Sequence, residues 1–168
     1  GSGLAPTPRL AAQGAGPSQE PVGARGDPYA AKTRLLVLTD IANEPDDQMS
    51  MVRLLVYSNQ FEVEGLVATT STWMKKTVRP DVIRLLIDAY EEVRPKLLEH
   101  QPGFPTAAAL RDVVTTGQPA YGMAAVGPGK TSPGAELIVR AGDRADPRPL
   151  WVTVWGGANT LAQALLDV

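Results

Sequence analysis

The chain is predicted to be an α/β protein with a Rossmann-like parallel sheet and helices on both faces. Three observations lead there. Short apolar runs of strand length, at 34–39, 61–68 and 149–154, alternate with segments whose apolar residues recur at helical spacing. The first and last runs lack the in–out alternation of a half-wetted strand, as expected where helices cover both faces of a sheet. Each run leads into a loop rich in acidic, hydroxyl or Gly residues, and open parallel sheets bind ligands beyond the carboxyl ends of their strands.

Residues 1–32 hold Gly, Pro, Ala, Ser and Gln with scattered charge and almost no large hydrophobes, the composition of a flexible leader. The domain is expected over 33–168. Its first strand is Arg34 to Thr39. A helix follows from Pro45-Asp46-Asp47, with Met49, Val52, Leu55 and Val56 as its apolar stripe and two acids where a helix N-terminus favours negative charge. The second strand runs from Phe61 to Ala68 and opens into the polar loop Thr69-Thr70-Ser71-Thr72. Pro80-Asp81 starts another helix, striped by Val82, Leu85, Leu86, Ala89, Tyr90 and Val93, which Pro95 is expected to kink or end. A shorter helix is predicted from Thr106 to Val114. The Gly- and Pro-rich stretch from Thr116 to Pro133 is long for a loop in a compact domain and is read as functional. A helix around Ala135 to Ala141 precedes the third strand, Pro149 to Val154, in which Trp151 is expected in the core. Gly156-Gly157 and a helix from Asn159 to Leu166 complete the pattern, leaving the sheet unfinished at its C-terminal side.

Composition narrows the function. With 16 basic and 18 acidic side chains the chain has no positive field for nucleic acid. No apolar run is long enough to span a bilayer, so no membrane partner is expected. Without Cys there is no disulfide or thiolate chemistry, and a single His rules out any site needing two imidazoles. Hard oxygen ligands remain. The Gly-Ser-Gly start without Met is expected of a processed or partial chain, and a secreted or periplasmic location is favoured over the cytoplasm.

The loop Asp40-Ile41-Ala42-Asn43-Glu44-Pro45-Asp46-Asp47 carries four carboxylates and an amide directly after a buried strand. Such crowding calls for a positive partner, and carboxylate and carbonyl donors suit Ca²⁺ or Mg²⁺, with a flexible oxygen cage favouring Ca²⁺. The simpler reading has Asp46 and Asp47 capping the helix. That reading does not reach Asp40, at the end of the strand.

These residues resemble the signature of nucleoside hydrolases: Asp, any residue, Asp, Pro, Gly, any residue, Asp, Asp. Aligned on the final pair, Asp40, Asp46 and Asp47 fall on three of its four acids, and Ala42 falls on the second. The segment Trp155-Gly156-Gly157-Ala158-Asn159-Thr160-Leu161-Ala162 is similar to the family's second motif. More closely, Thr39 to Met51, Gly65 to Trp73 and Trp151 to Leu165 resemble the nucleoside-hydrolase-like domain of microbial proteins described as cellulose-binding. The resemblance covers about Arg34 to Val168.

It implies a hydrolase of N-glycosyl or glycosidic bonds using a calcium-bound water, with Asp47, the Trp155 carbonyl and Asp40 as metal ligands. Asp46 would accept hydrogen bonds from sugar hydroxyls, joined by Asn43, Glu44, Thr72 and Trp73. An alignment with the loop two residues longer gives Asp40 the base role that Ala42 lacks. The alternative is a carbohydrate-binding domain that kept the fold without turnover. The expected ligand is a sugar, nucleoside or polysaccharide, bound by a monomer or a homo-oligomer. The family's late metal-binding Asp and late His would fall beyond Val168, and His100, after a helix, is read as solvated. Ala124 to Thr131 fits a loose phosphate-binding loop, but no strand-like segment precedes it and Pro133-Gly134 is read as interrupting the helix that mechanism needs.

Overall fold

The computed structural model describes residues 31–168, so the expected leader lies almost wholly outside the described residues. Four strands, β1 (Thr33–Thr39), β2 (Phe61–Ala68), β3 (Val114–Thr116) and β4 (Leu150–Val154), form one sheet in the order β3-β2-β1-β4. All three pairings are parallel. β1 lies inside the sheet, which is why its apolar residues are buried on both faces.

Helices cover both sides. On one face α1 (Pro45–Val56), α2 (Pro80–His100) and α3 (Ala107–Asp112) enclose Leu35, Val37, Met51, Leu66, Ile83 and Ile87. On the other, α4 (Pro133–Asp143) and α5 (Asn159–Asp167) pack over Leu36, Leu38 and Val67. Fully burying each such Leu contributes about 2 kcal/mol. At the amino ends of the strands, Arg34, only 2% exposed, donates to Glu64, to the Arg148 carbonyl and to the Ala141 carbonyl. Burying that charge is tolerable because its donors are occupied.

Several elements differ from their sequence-based expectation. Helix α1 buries Asp47, Met51 and Leu55 and leaves Met49 and Val52 exposed, so its inward face is rotated from the predicted stripe. Helix α2 likewise buries Ile83, Ile87 and Tyr90 and exposes Leu85 and Val93. Both helices carry apolar residues in two adjoining phases, and packing selects one. Helix α2 also continues five residues past Pro95; Glu91, whose carbonyl loses its helical donor there, is on the exposed side, where water serves instead. The stretch predicted as helix to Val114 ends at Asp112 and becomes β3. Helix α4 begins at Pro133 rather than being interrupted there, because proline suits the first helical position and Ser132 caps the end by accepting from the Ala135 amide. Trp151 is not in the core: it is 51% exposed, because among the described residues β4 is an edge strand of the sheet.

Candidate functional site

Three loops meet at the carboxyl ends of the strands, and backbone hydrogen bonds lock them together. The Thr69 amide donates to the Thr39 carbonyl at 2.7 Å, the Trp155 amide to Leu38 at 2.8 Å, and the Gly157 amide to Thr70 at 3.1 Å. Asp40, one residue past β1, is thereby held between the loops that follow β2 and β4. Gly156 is required for this close approach: a Cβ there would stand 2.5 Å from Asp40 Oδ1. Gly157 is equally confined, since a Cβ would stand 2.2 Å from the Thr70 carbonyl oxygen.

Asp40 and Asp47 are both buried, each 7% exposed. Thr39 Oγ1 donates to Asp47 Oδ2 at 2.5 Å. Burial raises the Asp47 carboxyl above its ordinary range; the Thr39 hydroxyl pulls it partly back, while the charge and hydrogen bonding of Asp40, and the charge of Asp46, push it further up. Asp46 and Asp47 do lie in the first turn of α1, as the helix-cap reading expects, and Asp47 is in addition bonded to Thr39; Glu44, at the cap position, makes no side-chain cap bond. Asp46 stays exposed in the first helical turn, facing the same space.

Ahead of α1 the loop turns sharply, with the Asn43 amide donating to the Asp40 carbonyl at 3.1 Å. Ala42 takes a left-handed conformation at φ 79°, the only such non-glycine residue among those described. A methyl-bearing residue there is strained, and strain of this kind is retained where the surroundings enforce it. On the opposite wall Ser71 Oγ accepts from the amides of Trp73 and Met74, making a tight turn that presents Trp73 at 78% exposure.

The result is one cavity of about 240 Å³. The residues that the sequence reading assigned to the metal and sugar site all line it: Asp40, Asn43, Glu44, Asp46, Asp47, Thr72, Trp73 and Trp155. Tyr121, Ser71, Gly156 and Gly157 complete the wall. Tyr121 was not anticipated individually; it comes from the Gly- and Pro-rich segment, pinned where its amide donates to the Lys75 carbonyl at 2.9 Å. A larger space of about 580 Å³ runs beside α1 and shares Asp46, Asp47 and Trp155. His100 is exposed at the end of α2, away from the cavity. The segment Ala124–Thr131 has no strand leading into it, and Lys130 Nζ donates to the Ala124 carbonyl within its own loop.

Among the described residues no three His, Cys, Asp or Glu side chains converge closely enough to hold a metal ion by themselves. Two buried carboxylates lining one cavity do match the hard-oxygen chemistry of Ca²⁺. A complete cage needs further oxygens, from backbone, water or ligand.

Comparison with known proteins agrees with this architecture. No curated protein matches the chain. A solved structure described as a nucleoside hydrolase-related hypothetical protein from Saccharophagus degradans that is associated with carbohydrate metabolism is similar, at 45% identity and a TM-score of 0.78. The match covers 82% of this chain and 34% of that one, so the present chain spans about a third of that protein's length. The family model for the nucleoside hydrolase-like domain of cellulose-binding Sde182 matches residues 34–168. The chain belongs to that family, the nucleoside hydrolase-like domains of cellulose-binding Sde182 proteins.

Proposed function

We propose that this domain carries the sugar site of a hydrolase acting on glycosidic or N-glycosyl bonds, with Asp40 as the carboxylate that takes a proton from the attacking water. The observation that carries the reading is the buried Asp40–Asp47 pair at a cavity also lined by the exposed carboxylates Glu44 and Asp46 and by amide, hydroxyl and aromatic groups. Asp40 sits at a strand end, locked by three backbone bonds around it, and such rigidity suits acid–base work. Asp46, Asn43, Glu44 and Thr72 offer acceptors and donors to sugar hydroxyls, and Trp73 offers a stacking face. Thr39 keeps Asp47 oriented toward its neighbour. Asp40, Asp47 and the Trp155 carbonyl would hold Ca²⁺, which when bound supplies a positive charge that favours ionisation of water. In this chemistry the sugar ring passes through an oxocarbenium-like state that neighbouring carboxylates stabilise.

The test uses the full-length protein. Aryl glycosides and nucleosides are offered to wild type and to Asp40→Asn, and Ca²⁺ is titrated calorimetrically into metal-stripped wild type and the Asp40→Ala, Asp47→Ala double variant. Hydrolysis that collapses in Asp40→Asn, with saturable Ca²⁺ binding lost in the double variant, is the expected result. Sugar binding without turnover in wild type would overturn the catalytic assignment and leave a binding domain, the outcome to which Ala42 in place of a second acid would then be traced.

A further inference from the structure

The stretch 117–132 follows β3 and sends one residue, Tyr121, to the wall of the carboxylate cavity. Long loops are ordinarily the mobile parts of a domain. This one is braced along its length by side-chain amides. At its base Gln118 donates to the Lys130 carbonyl at 3.0 Å and accepts from the Ser132 hydroxyl at 2.9 Å. Asn159, in the first turn of α5, accepts from the Gly122 amide at 3.3 Å and donates to the Gly122 carbonyl at 2.8 Å. Gln163 does the same at Gly127, at 2.9 and 3.1 Å. Gln118 and Gln163 are fully buried. Buried amides add nothing to an apolar core; satisfied on both sides, they fix the backbone they hold.

Tyr121 is the cavity residue that this bracing serves. Its amide donates to the Lys75 carbonyl at 2.9 Å, two residues past Trp73, so the segments that carry the two aromatic side chains are tied to each other. Its neighbour Gly122 is the residue that Asn159 clasps. The ring lies against bare backbone: a Cβ on Gly157 would stand 3.0 Å from Tyr121 Cε2. Tyr121 nevertheless keeps 38% of its surface open. An aromatic side chain fixed in this way presents a flat apolar area and loses little freedom when a ligand arrives.

We propose that Tyr121 is a specificity-determining residue of the sugar site, its ring being the fixed surface on which the C–H face of a bound sugar packs, and that Asn159 is the positioning residue that keeps it there. The inference rests on the sugar-site reading above and adds the side chain that discriminates among sugars. Aromatic faces pack on continuous C–H patches, and epimers differ in where an axial hydroxyl interrupts that patch.

The 4-nitrophenyl 1-thio-β-glycosides of glucose, galactose and xylose, which resist hydrolysis, are titrated calorimetrically into the full-length protein, with folding of every variant followed by circular dichroism. Wild type is expected to bind the three unequally. Tyr121→Ala should lower the best affinity roughly tenfold and contract the spread among the three toward one. Tyr121→Leu, which keeps bulk without a ring, should do the same and replaces the Ala variant if that one unfolds. Tyr121→Phe should restore both quantities to within about threefold. Asn159→Ala should weaken binding in wild type and add nothing to Tyr121→Ala, since a residue acting through another shows no separate loss in a double-mutant cycle. Equal affinity of wild type for the three, or a spread untouched by the Ala and Leu variants, overturns the role of Tyr121 while leaving the sugar site standing. Losses that add in the double variant overturn the role of Asn159. Wild type that binds none of the three overturns both the inference and the sugar-site reading.

Discussion

Replacing Gly156 by Ala tests how Asp40 is held. The added Cβ would stand 2.5, 2.7 and 2.8 Å from Oδ1, Cγ and Cβ of Asp40. Ordinary contact begins near 3.4 Å, so the carboxylate oxygen has to retreat by about 0.9 Å. Asp40 has little room: it is 7% exposed, next to Asp47, and carried by a strand end whose flanks are fixed by the Thr69 and Trp155 amides. Overpacking of this kind costs about 1–3 kcal/mol, offset by roughly 0.4–1 kcal/mol from the reduced freedom of the unfolded chain, so a net loss of about 1–2 kcal/mol is expected. The functional effect should be larger in proportion, since a shift near 1 Å in a reacting group lowers rate by about 10²-fold. Urea unfolding followed by circular dichroism gives the stability term, and initial rates on an aryl glycoside with calorimetric sugar binding give the functional one. A variant as stable as wild type with unchanged turnover and binding would show that Asp40 does not lie against Gly156 and that the site is assembled differently.

Removing the hydroxyl in Thr39→Val leaves a buried carboxylate without its donor; a loss of about 1.5–3 kcal/mol in urea unfolding is expected, and a change below 0.5 kcal/mol would discount the bond. Trp73→Ala, at a position 78% exposed, should leave stability within about 0.5 kcal/mol while lowering sugar affinity roughly tenfold by calorimetry. For pH, Asp146 is held well below its ordinary range by hydrogen bonds from Arg148 and Arg144. Burial opposes ionisation of Glu62, but hydrogen bonds from the same two arginines outweigh it and lower its pKa. With folded values below unfolded ones, this stabilisation is present above about pH 4 and is lost as pH falls further. The acid limb of a stability-versus-pH curve should therefore flatten in Asp146→Asn, and an unaltered limb would assign acid unfolding to other groups.

The parts of the fold that were legible in the sequence are those decided locally. Arg34 to Thr39 reads as a doubly covered strand because its apolar run is unbroken, and Pro45-Asp46-Asp47 marks a helix start by its proline and first-turn acids. The site loops were visible because each interrupts an apolar pattern with polar or Gly residues at a strand's end. Decisions made at long range were not visible. Strand β3 has three residues, too few for any periodicity, and is recruited by pairing with Leu66 to Ala68. Trp151 looks like a core residue until the strand order puts β4 at the edge. Nothing around Tyr121 announces a site residue, since its place depends on the Lys75 carbonyl and on the absence of a side chain at Gly157.

The strand order also has a consequence for the timing of assembly. Strand β1 pairs on one side with β2 and on the other with β4, whose residues lie more than a hundred positions later: Arg34 sits opposite Leu150. During synthesis the Asp40 and Ser71 loops emerge early, yet Trp155, Gly156 and Gly157 reach the ribosomal exit only after α4. Long-range parallel pairing is slow because the intervening chain must be ordered first. The carboxylate pair is walled in when β4 docks, so ligand affinity in a nascent or refolding chain would serve as a clock for that pairing.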